Sequence, residues 1–222
     1  MRLALFDLDG TLLPGDSDHA FGEFLVASGI ADGEAFRRRN DAFYAAYQIG
    51  RLDIAAYIAF ITADWRERPA AEVDALRAAY LERVIRPMLR ASAQALVETH
   101  RAAGDMLAIV TATNDFVTRP IAALFGVEAL IATELERDAA GRVSGAIRGL
   151  PAFREGKVAR VDAWLAAQGL TLADFERSIF YSDSANDLPL LTHVSHPVAT
   201  NPGPALERIA RERGWPVLHL FT

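Results

Sequence analysis

Cysteine is absent from the 222 residues, so the chain has neither disulfides nor thiolate metal ligands. No apolar run approaches the ~18 residues that a membrane-spanning helix needs. One Arg and then a strand begin the chain, with no apolar signal segment. These absences lead to the expectation of a cytoplasmic protein with no stable membrane insertion. Clustered cations are also scarce. The net charge is −6, and the single basic run, Arg37-Arg38-Arg39, is flanked by Glu34 and Asp41. Nucleic acid is not an expected partner, because affinity for a phosphate backbone requires clustered cations. A small anionic substrate fits better, since a local pocket can be positive on an acidic protein. Lysine is almost missing: 22 of the 23 basic residues are Arg, and the other is Lys157. Arg evidently supplies general surface charge, so a lone Lys is either chance or a position where a compact ammonium is wanted and a planar guanidinium will not do. The five histidines show no metal-ligand spacing.

Hydrophobic residues make up 51% of the chain, enough for a packed core. Residues 1–7 read as a buried parallel strand. Apolar residues then recur at helical spacing through Phe21, Phe24 and Leu25, through Ile54, Tyr57, Ile58 and Ile61, and through Val73, Leu76 and Tyr80. Three or four helices and no strand are expected between about 17 and 86, with Asp16-Ser17 and Asp32 as N-caps and Gly29 and Gly50 as stops. From residue 87 the texture alternates. Helices are expected near 90–103, 115–125, after Gly156-Lys157 and at 203–213. Strands are expected at 106–110, 127–132, 178–181, 197–199 and 216–220. A β-hairpin at 133–148 turns at Asp138–Gly141. Strands alternating with helices imply a doubly wound, mostly parallel α/β sheet covered on both faces.

Polar residues cluster where the strands end, which is where open α/β sheets bind ligands. Strand one ends in Asp7-Leu8-Asp9-Gly10-Thr11. The strand at 106–110 leads to Thr111, a loop delivers Lys157, and the strand at 178–181 leads to Asp183 and Asp187. Asp and Gly after a strand also suit an ordinary turn; the partners in sequence order favour a site. This inventory suits phosphoryl transfer to a carboxylate. Metal and ammonium offset the repulsion between two anions, hydroxyl and N–H groups hold phosphoryl oxygens, and a second carboxylate moves the proton.

With these motifs the chain resembles the haloacid dehalogenase-like superfamily of phosphatases, over essentially its whole length. The resemblance implies a Rossmann-like catalytic core at 1–15 and 87–222 with an inserted helical cap at 16–86. It implies Asp7 as nucleophile, Asp9 as general acid/base, Thr111 as the phosphate-binding hydroxyl and Lys157 as the residue that steadies both. It implies Mg²⁺ as cofactor, with Asp7, the Asp9 carbonyl, Asp183 and Asp187 at or beside the metal. Asp9 favours phosphate esters, since the dehalogenase branch lacks that carboxylate. Roughly 100 residues separate Asp9 from Thr111, leaving a helical insert of about 60–75 once a simple crossover is subtracted. That placement, with the segments 180–191 and 197–202, resembles subfamily IB, the phosphoserine phosphatase-like branch.

Three departures bear on substrate. Asp16 stands where phosphoserine phosphatases hold the substrate amine with Glu; it equally suits a helix N-cap. Arg37, Arg38, Arg39 and Arg51 compete to bind a substrate carboxylate, and the run 37–39 reads mostly as a solvated helix face. Thr111-Ala112-Thr113 replaces the family's Ser-Gly-Gly. Candidate substrate-binding residues are Asp16, Thr111, Ala112 and Arg51. The expected activity is a Mg²⁺-dependent phosphomonoesterase acting on a small phosphorylated metabolite through an aspartyl phosphate. A lipid-head-group phosphatase of the same subfamily, acting on something like phosphatidylglycerophosphate, is the alternative. A receiver-type phospho-acceptor domain fits less well, because receivers lack D-x-D-G-T and a helical insert. A P-loop around Gly156-Lys157 fails on spacing and on Val158.

Overall fold

The computed structural model describes residues 1–221. The chain runs β1 (Arg2–Phe6), α1 (Ser17–Ala27), α2 (Gly33–Gln48), α3 (Ile54–Thr62) and α4 (Ala70–Tyr80), then a π-helical turn (Leu81–Ile85) and a short α5 (Arg86–Met88). It continues α6 (Ala91–Ala102), β2 (Met106–Asn114), α7 (Asp115–Leu124), β3 (Ala129–Thr133), β4 (Leu135–Arg137), β5 (Val143–Ile147) and α8 (Glu155–Ala166). The last part is β6 (Arg177–Ser182), α9 (Leu188–His193), β7 (His196–Thr200), α10 (Pro204–Arg213) and β8 (Val217–Leu218). Among the described residues no helix is long and apolar enough to cross a membrane.

Six strands form one parallel sheet in the order β3-β2-β1-β6-β7-β8, while β4 and β5 pair as an antiparallel hairpin. Strand order reverses at β1: the chain builds outward to β3 on one side, then returns to lay β6, β7 and β8 on the other. Such a switch point opens a crevice at the carboxyl ends of the strands. Side chains alternate across the sheet with period two. Ala4 and Phe6 of β1 face a core shared with α1, α3, α4, α6 and α7. Leu3 and Leu5 face a second core built with Val161 and Leu165 of α8, Leu190 and Leu191 of α9, and Leu206 and Ala210 of α10.

The segment between β1 and β2 is helical throughout, as the periodicity predicts. Its aromatic residues join it to the sheet layer: Trp65 stacks on Phe116 of α7 at 4.3 Å between ring centroids, and Phe21 meets Tyr80 edge-on at 5.0 Å. The Tyr80 hydroxyl donates to the Ser17 carbonyl at 2.5 Å, tying α4 to the start of α1.

Local differences from the sequence reading have physical causes. β2 runs on to Asn114, with an irregular register against β3 between Val110 and Asn114, so Thr111–Thr113 lie in the strand rather than after it. β3 starts at Ala129, later than 127. β8 keeps two residues of the expected five. Helix α9 is absent from the sequence reading, being six residues long and opened by Pro189. Asp32 precedes α2 without a side-chain capping bond.

Candidate active site

Asp7 follows β1 directly, and its N–H extends the ladder to the Tyr181 carbonyl of β6 at 2.9 Å. That pairing fixes the Asp7 carboxyl at the centre of the crevice, where it is 2% exposed. Lys157, 1% exposed, reaches it from the first turn of α8. Its ammonium donates to Asp7 Oδ1 at 2.8 Å and to Asp187 Oδ2 at 2.7 Å. Gly156 permits this approach, since a Cβ there would lie 2.1 Å from the Pro151 carbonyl oxygen. Asp187 also accepts from Ser182 Oγ at 2.8 Å. The sequence left Asp187 between metal and lysine; the geometry puts it on the lysine.

The Asp9 carboxyl is oriented from two sides. Oδ1 accepts from the Ser17 N–H at 2.7 Å, and Oδ2 accepts from Thr113 Oγ1 at 2.8 Å. Thr111 is buried beside it, its hydroxyl oxygen accepting from the Thr113 N–H at 3.2 Å. Asp183 closes the other side. Its N–H donates to Thr11 Oγ1 at 3.0 Å, and its Oδ1 accepts from the Thr11 hydroxyl at 3.2 Å. Gly10 is obligatory here: its φ is +73°, and a Cβ would sit 2.2 Å from Asp183 Oδ2. Asn201, itself at φ +47°, donates from Nδ2 to the carbonyls of Gly10 at 3.0 Å and Thr11 at 3.2 Å. The loop after β1 is thus pinned from β6 and from beyond β7.

Negative charge is in excess. The carboxyls of Asp7, Asp9, Asp16, Asp18, Asp183 and Asp187 gather at this end of the sheet with one buried ammonium, which contacts Asp7 and Asp187. Burial, working against the Lys157 ammonium, pushes Asp7 up to about 7. Burial and the charge of Asp16 raise Asp9 to about 7, against the bonds from Ser17 and Thr113. Burial, then the charges of Asp7 and Asp187, hold Asp183 well above the usual carboxylate range. Lys157 stays protonated: its two carboxylate partners outweigh its own desolvation and raise it. The 2.8 Å contact with Asp7 is therefore an ion pair once Asp7 has lost its proton. Such clustered, mutually shifted acids mark functional sites.

Asp16 is an N-cap and also borders open space. It caps α1, accepting from the N–H groups of Asp18 at 3.0 Å and His19 at 2.7 Å, and it lines two adjoining cavities. One cavity runs along Asp9, Gly10, Asp183 and Asn186. The other lies toward the helices, where Asp18, Asn40, Tyr57 and Ala112 are among its walls. Asp18 accepts from Asn114 Nδ2 at 3.0 Å, and burial with the charges of Asp16 and Asp9 raises it well above its ordinary range. Arg51 is exposed and lines neither cavity. Arg37 pairs with Glu23 at 3.1 Å, Arg38 pairs with Glu34 at 2.8 Å, and Arg39 lies 4.9 Å over the Phe60 ring. The first two match the solvated face that the sequence suggested.

Sequence reasoning passed over Thr113, Ser182, Asn201, Asp18 and Asn40. Thr113 and Ser182 carried a signal, each being a hydroxyl beside a motif residue at a strand end. The others come from helices or loops that only the fold brings to the crevice.

Comparison with known proteins agrees with this geometry. The model of the haloacid dehalogenase-like hydrolase family matches residues 4–192. A histidinol-phosphatase of Neisseria meningitidis is 42% identical over 98% of both chains. A Bordetella pertussis crystal structure of unknown function superposes with a TM-score of 0.93, at 50% identity over 99% of both chains. A substrate-bound phosphoserine phosphatase shares the fold at a TM-score of 0.69 and 16% identity, covering 97% of this chain and 91% of that one. By its sequence, its fold and its paired carboxylates, this chain belongs to the haloacid dehalogenase-like hydrolase family, in its phosphatase branch.

Proposed function

We propose that this phosphatase hydrolyses a small phosphate monoester through a covalent phosphoryl group on Asp7. The observation that carries the reading is the pairing of roles at the end of β1. Asp7 lies on an ammonium at 2.8 Å, while Asp9, two residues on, is held by Ser17 and Thr113 away from any cation. A cation beside Asp7 favours its ionised form and suits a nucleophile, while Asp9, with no cation beside it, suits the acid.

In the first step an Asp7 oxygen attacks phosphorus, the bond to the ester oxygen breaks, and Asp9 passes its proton to the leaving alcohol. In the second, Asp9 takes a proton from water as that water attacks the same phosphorus. Inorganic phosphate leaves and the Asp7 carboxylate is restored. Lys157 favours the ionised form of Asp7 and offsets charge on the transferring group. Thr111 and the N–H groups of the adjoining loops hold phosphoryl oxygens.

The donor set suits Mg²⁺: hard oxygens only, with negative charge in excess of the single ammonium. Asp7, Asp183 and the Asp9 carbonyl would hold it, with Asp187 behind Lys157. When bound, Mg²⁺ reduces the repulsion between the substrate phosphate and the carboxylates. The helical segment 16–86 acts as a cap that excludes water during transfer, joined to the loop before α9 by the bond from Asn186 Nδ2 to the Tyr47 carbonyl at 2.9 Å. Histidinol phosphate, from the name of the Neisseria relative, is the first physiological ester to try.

The test is turnover of p-nitrophenyl phosphate with Mg²⁺ by the wild type, lost on chelation and lost in Asp7→Asn. Turnover that survives Asp7→Asn means that another nucleophile acts.

A further inference from the structure

The cavity toward the helices has a composition that the phosphoryl chemistry does not use. Asp16 and Asp18 stand at one end, and Asn40 of α2 and Tyr57 of α3 close it. Asn40 is 1% exposed and Tyr57 7%. Asn40 spends its Nδ2 on the His19 carbonyl at 2.9 Å, which leaves Oδ1 buried without a partner. The Tyr57 hydroxyl, also buried, faces the Asp18 carboxyl without forming a full hydrogen bond. Buried polar atoms are normally satisfied, so the orphaned Asn40 Oδ1, on one cavity wall with Asp18 and Tyr57, points to a ligand that satisfies it. Phe43, Leu52 and Ile58 form the apolar part of the wall.

Charge defines that ligand further. Neither this cavity nor the one beside Asp183 is lined by Arg or Lys. The basic residue at the wall is His19, which is engaged with Asp41 at 2.8 Å. An alcohol bearing a carboxylate would meet two carboxyls and no cation. An alcohol bearing a protonated nitrogen would meet two carboxyls, a carbonyl oxygen and a hydroxyl, all able to accept.

We infer that Asp18, Asn40 and Tyr57 form a leaving-group subsite for a protonated nitrogen, selecting amino-alcohol phosphates that lack a carboxylate. The inference rests on the phosphomonoesterase reading, and it makes Asp18 and its neighbours specificity-determining residues rather than parts of the phosphoryl-transfer machinery.

The experiment is a panel of four esters with the wild type: histidinol phosphate, phosphoethanolamine, phosphoserine and glycerol 3-phosphate, with p-nitrophenyl phosphate as reference. The first two are expected to exceed the last two in kcat/KM by at least about tenfold, the scale of one charge-assisted hydrogen bond. Asp18→Asn keeps an acceptor for Asn114 and is expected to lower the ratio of histidinol phosphate to p-nitrophenyl phosphate about tenfold, chiefly through KM. Tyr57→Phe removes a hydroxyl whose neighbour is the Asp18 carboxyl and keeps the ring in place, and the same ratio should drop about fivefold. If p-nitrophenyl phosphate turns over but the four esters do not differ, or if both variants leave the ratio unchanged, the subsite is refuted while the phosphatase reading stands. If no ester turns over, both are refuted.

Discussion

Replacing Lys157 by Arg keeps the charge and changes the shape. The ammonium sits between Asp7 and Asp187 at 2.8 and 2.7 Å, and 5.7 Å from the centre of the Phe180 ring beneath it. At 1% exposure there is no free volume for a planar guanidinium. Overpacking a site this tight costs about 1–3 kcal/mol of stability. The larger effect falls on geometry. A forked donor cannot occupy the single point that both carboxylates share, so Asp7 turns away from the line of attack. Misplacement by about 1 Å is worth on the order of 100-fold in rate. Lys157→Met supplies the contrast: it keeps much of the volume and removes the charge, stranding two buried carboxylates, at about 3–5 kcal/mol. Proton uptake by Asp7 and Asp187 offsets part of that cost at low pH. Urea unfolding and p-nitrophenyl phosphate turnover, measured on both variants, separate the two effects. The expected pattern is Arg destabilised by the smaller amount yet at least about 100-fold slow, and Met slow and more strongly destabilised near neutral pH. An Arg variant within about threefold of wild-type turnover would refute the argument that a compact ammonium is required.

Other outcomes follow from the same geometry. Asp9→Asn keeps one oxygen to accept from the Ser17 N–H and can donate from Nδ2 to Thr113 Oγ1, but it cannot move a proton, so turnover of alkyl phosphates should fall by about 100- to 10,000-fold. With p-nitrophenyl phosphate, whose leaving group needs little protonation, the same variant should give a burst and then stall; equal loss of both phases would contradict the acid/base role. For pH, Asp7 and Asp9 are both raised from 3.8 to about 7. Activity needs Asp7 ionised and Asp9 protonated, so kcat/KM should form a bell around neutrality, its acid limb set by Asp7 and its alkaline limb by Asp9. The stability effect has a definite sign. The folded protein binds these protons more tightly than the unfolded chain, so stability falls between about pH 4 and pH 7, by on the order of 1 kcal/mol per pH unit for each carboxyl. A metal-free melt should therefore be higher near pH 5 than near pH 8, and Mg²⁺ should restore part of the loss at the higher value. A flat profile would show that the buried carboxyls are not raised.

The sheet was largely readable from the chain, because buried parallel strands are apolar runs and helices carry their own period. Phe6-Asp7 and Tyr181-Ser182 show why the site was readable too. In a parallel sheet the ends of neighbouring strands are brought level, so polar residues after apolar runs converge whatever separates them in sequence. Lys157 stood out through composition alone. What the chain did not disclose depends on register and tertiary contact. Thr111 is drawn into β2 by the irregular pairing with β3, and Thr113, rather than any residue flagged beforehand, meets Asp9. Asp187 could face metal or lysine until the turn after β6 aimed it at Lys157. The helical segment between β1 and β2 is the least legible, since helical periodicity reports which face is buried and not which buried polar atom lacks a partner. Asn40 and Tyr57 look like ordinary members of α2 and α3 in sequence. Arg51, chosen there for its charge, ends up exposed and outside both cavities.

The central claim is that Asp7 becomes covalently phosphorylated. Borohydride added to the enzyme during turnover reduces an aspartyl phosphate to homoserine, and peptide mass spectrometry then locates it. The account predicts homoserine at position 7, dependent on substrate and increased in Asp9→Asn, where the second step stalls. An unmodified Asp7 in enzyme that is visibly turning over, or homoserine at any other carboxylate, would contradict it.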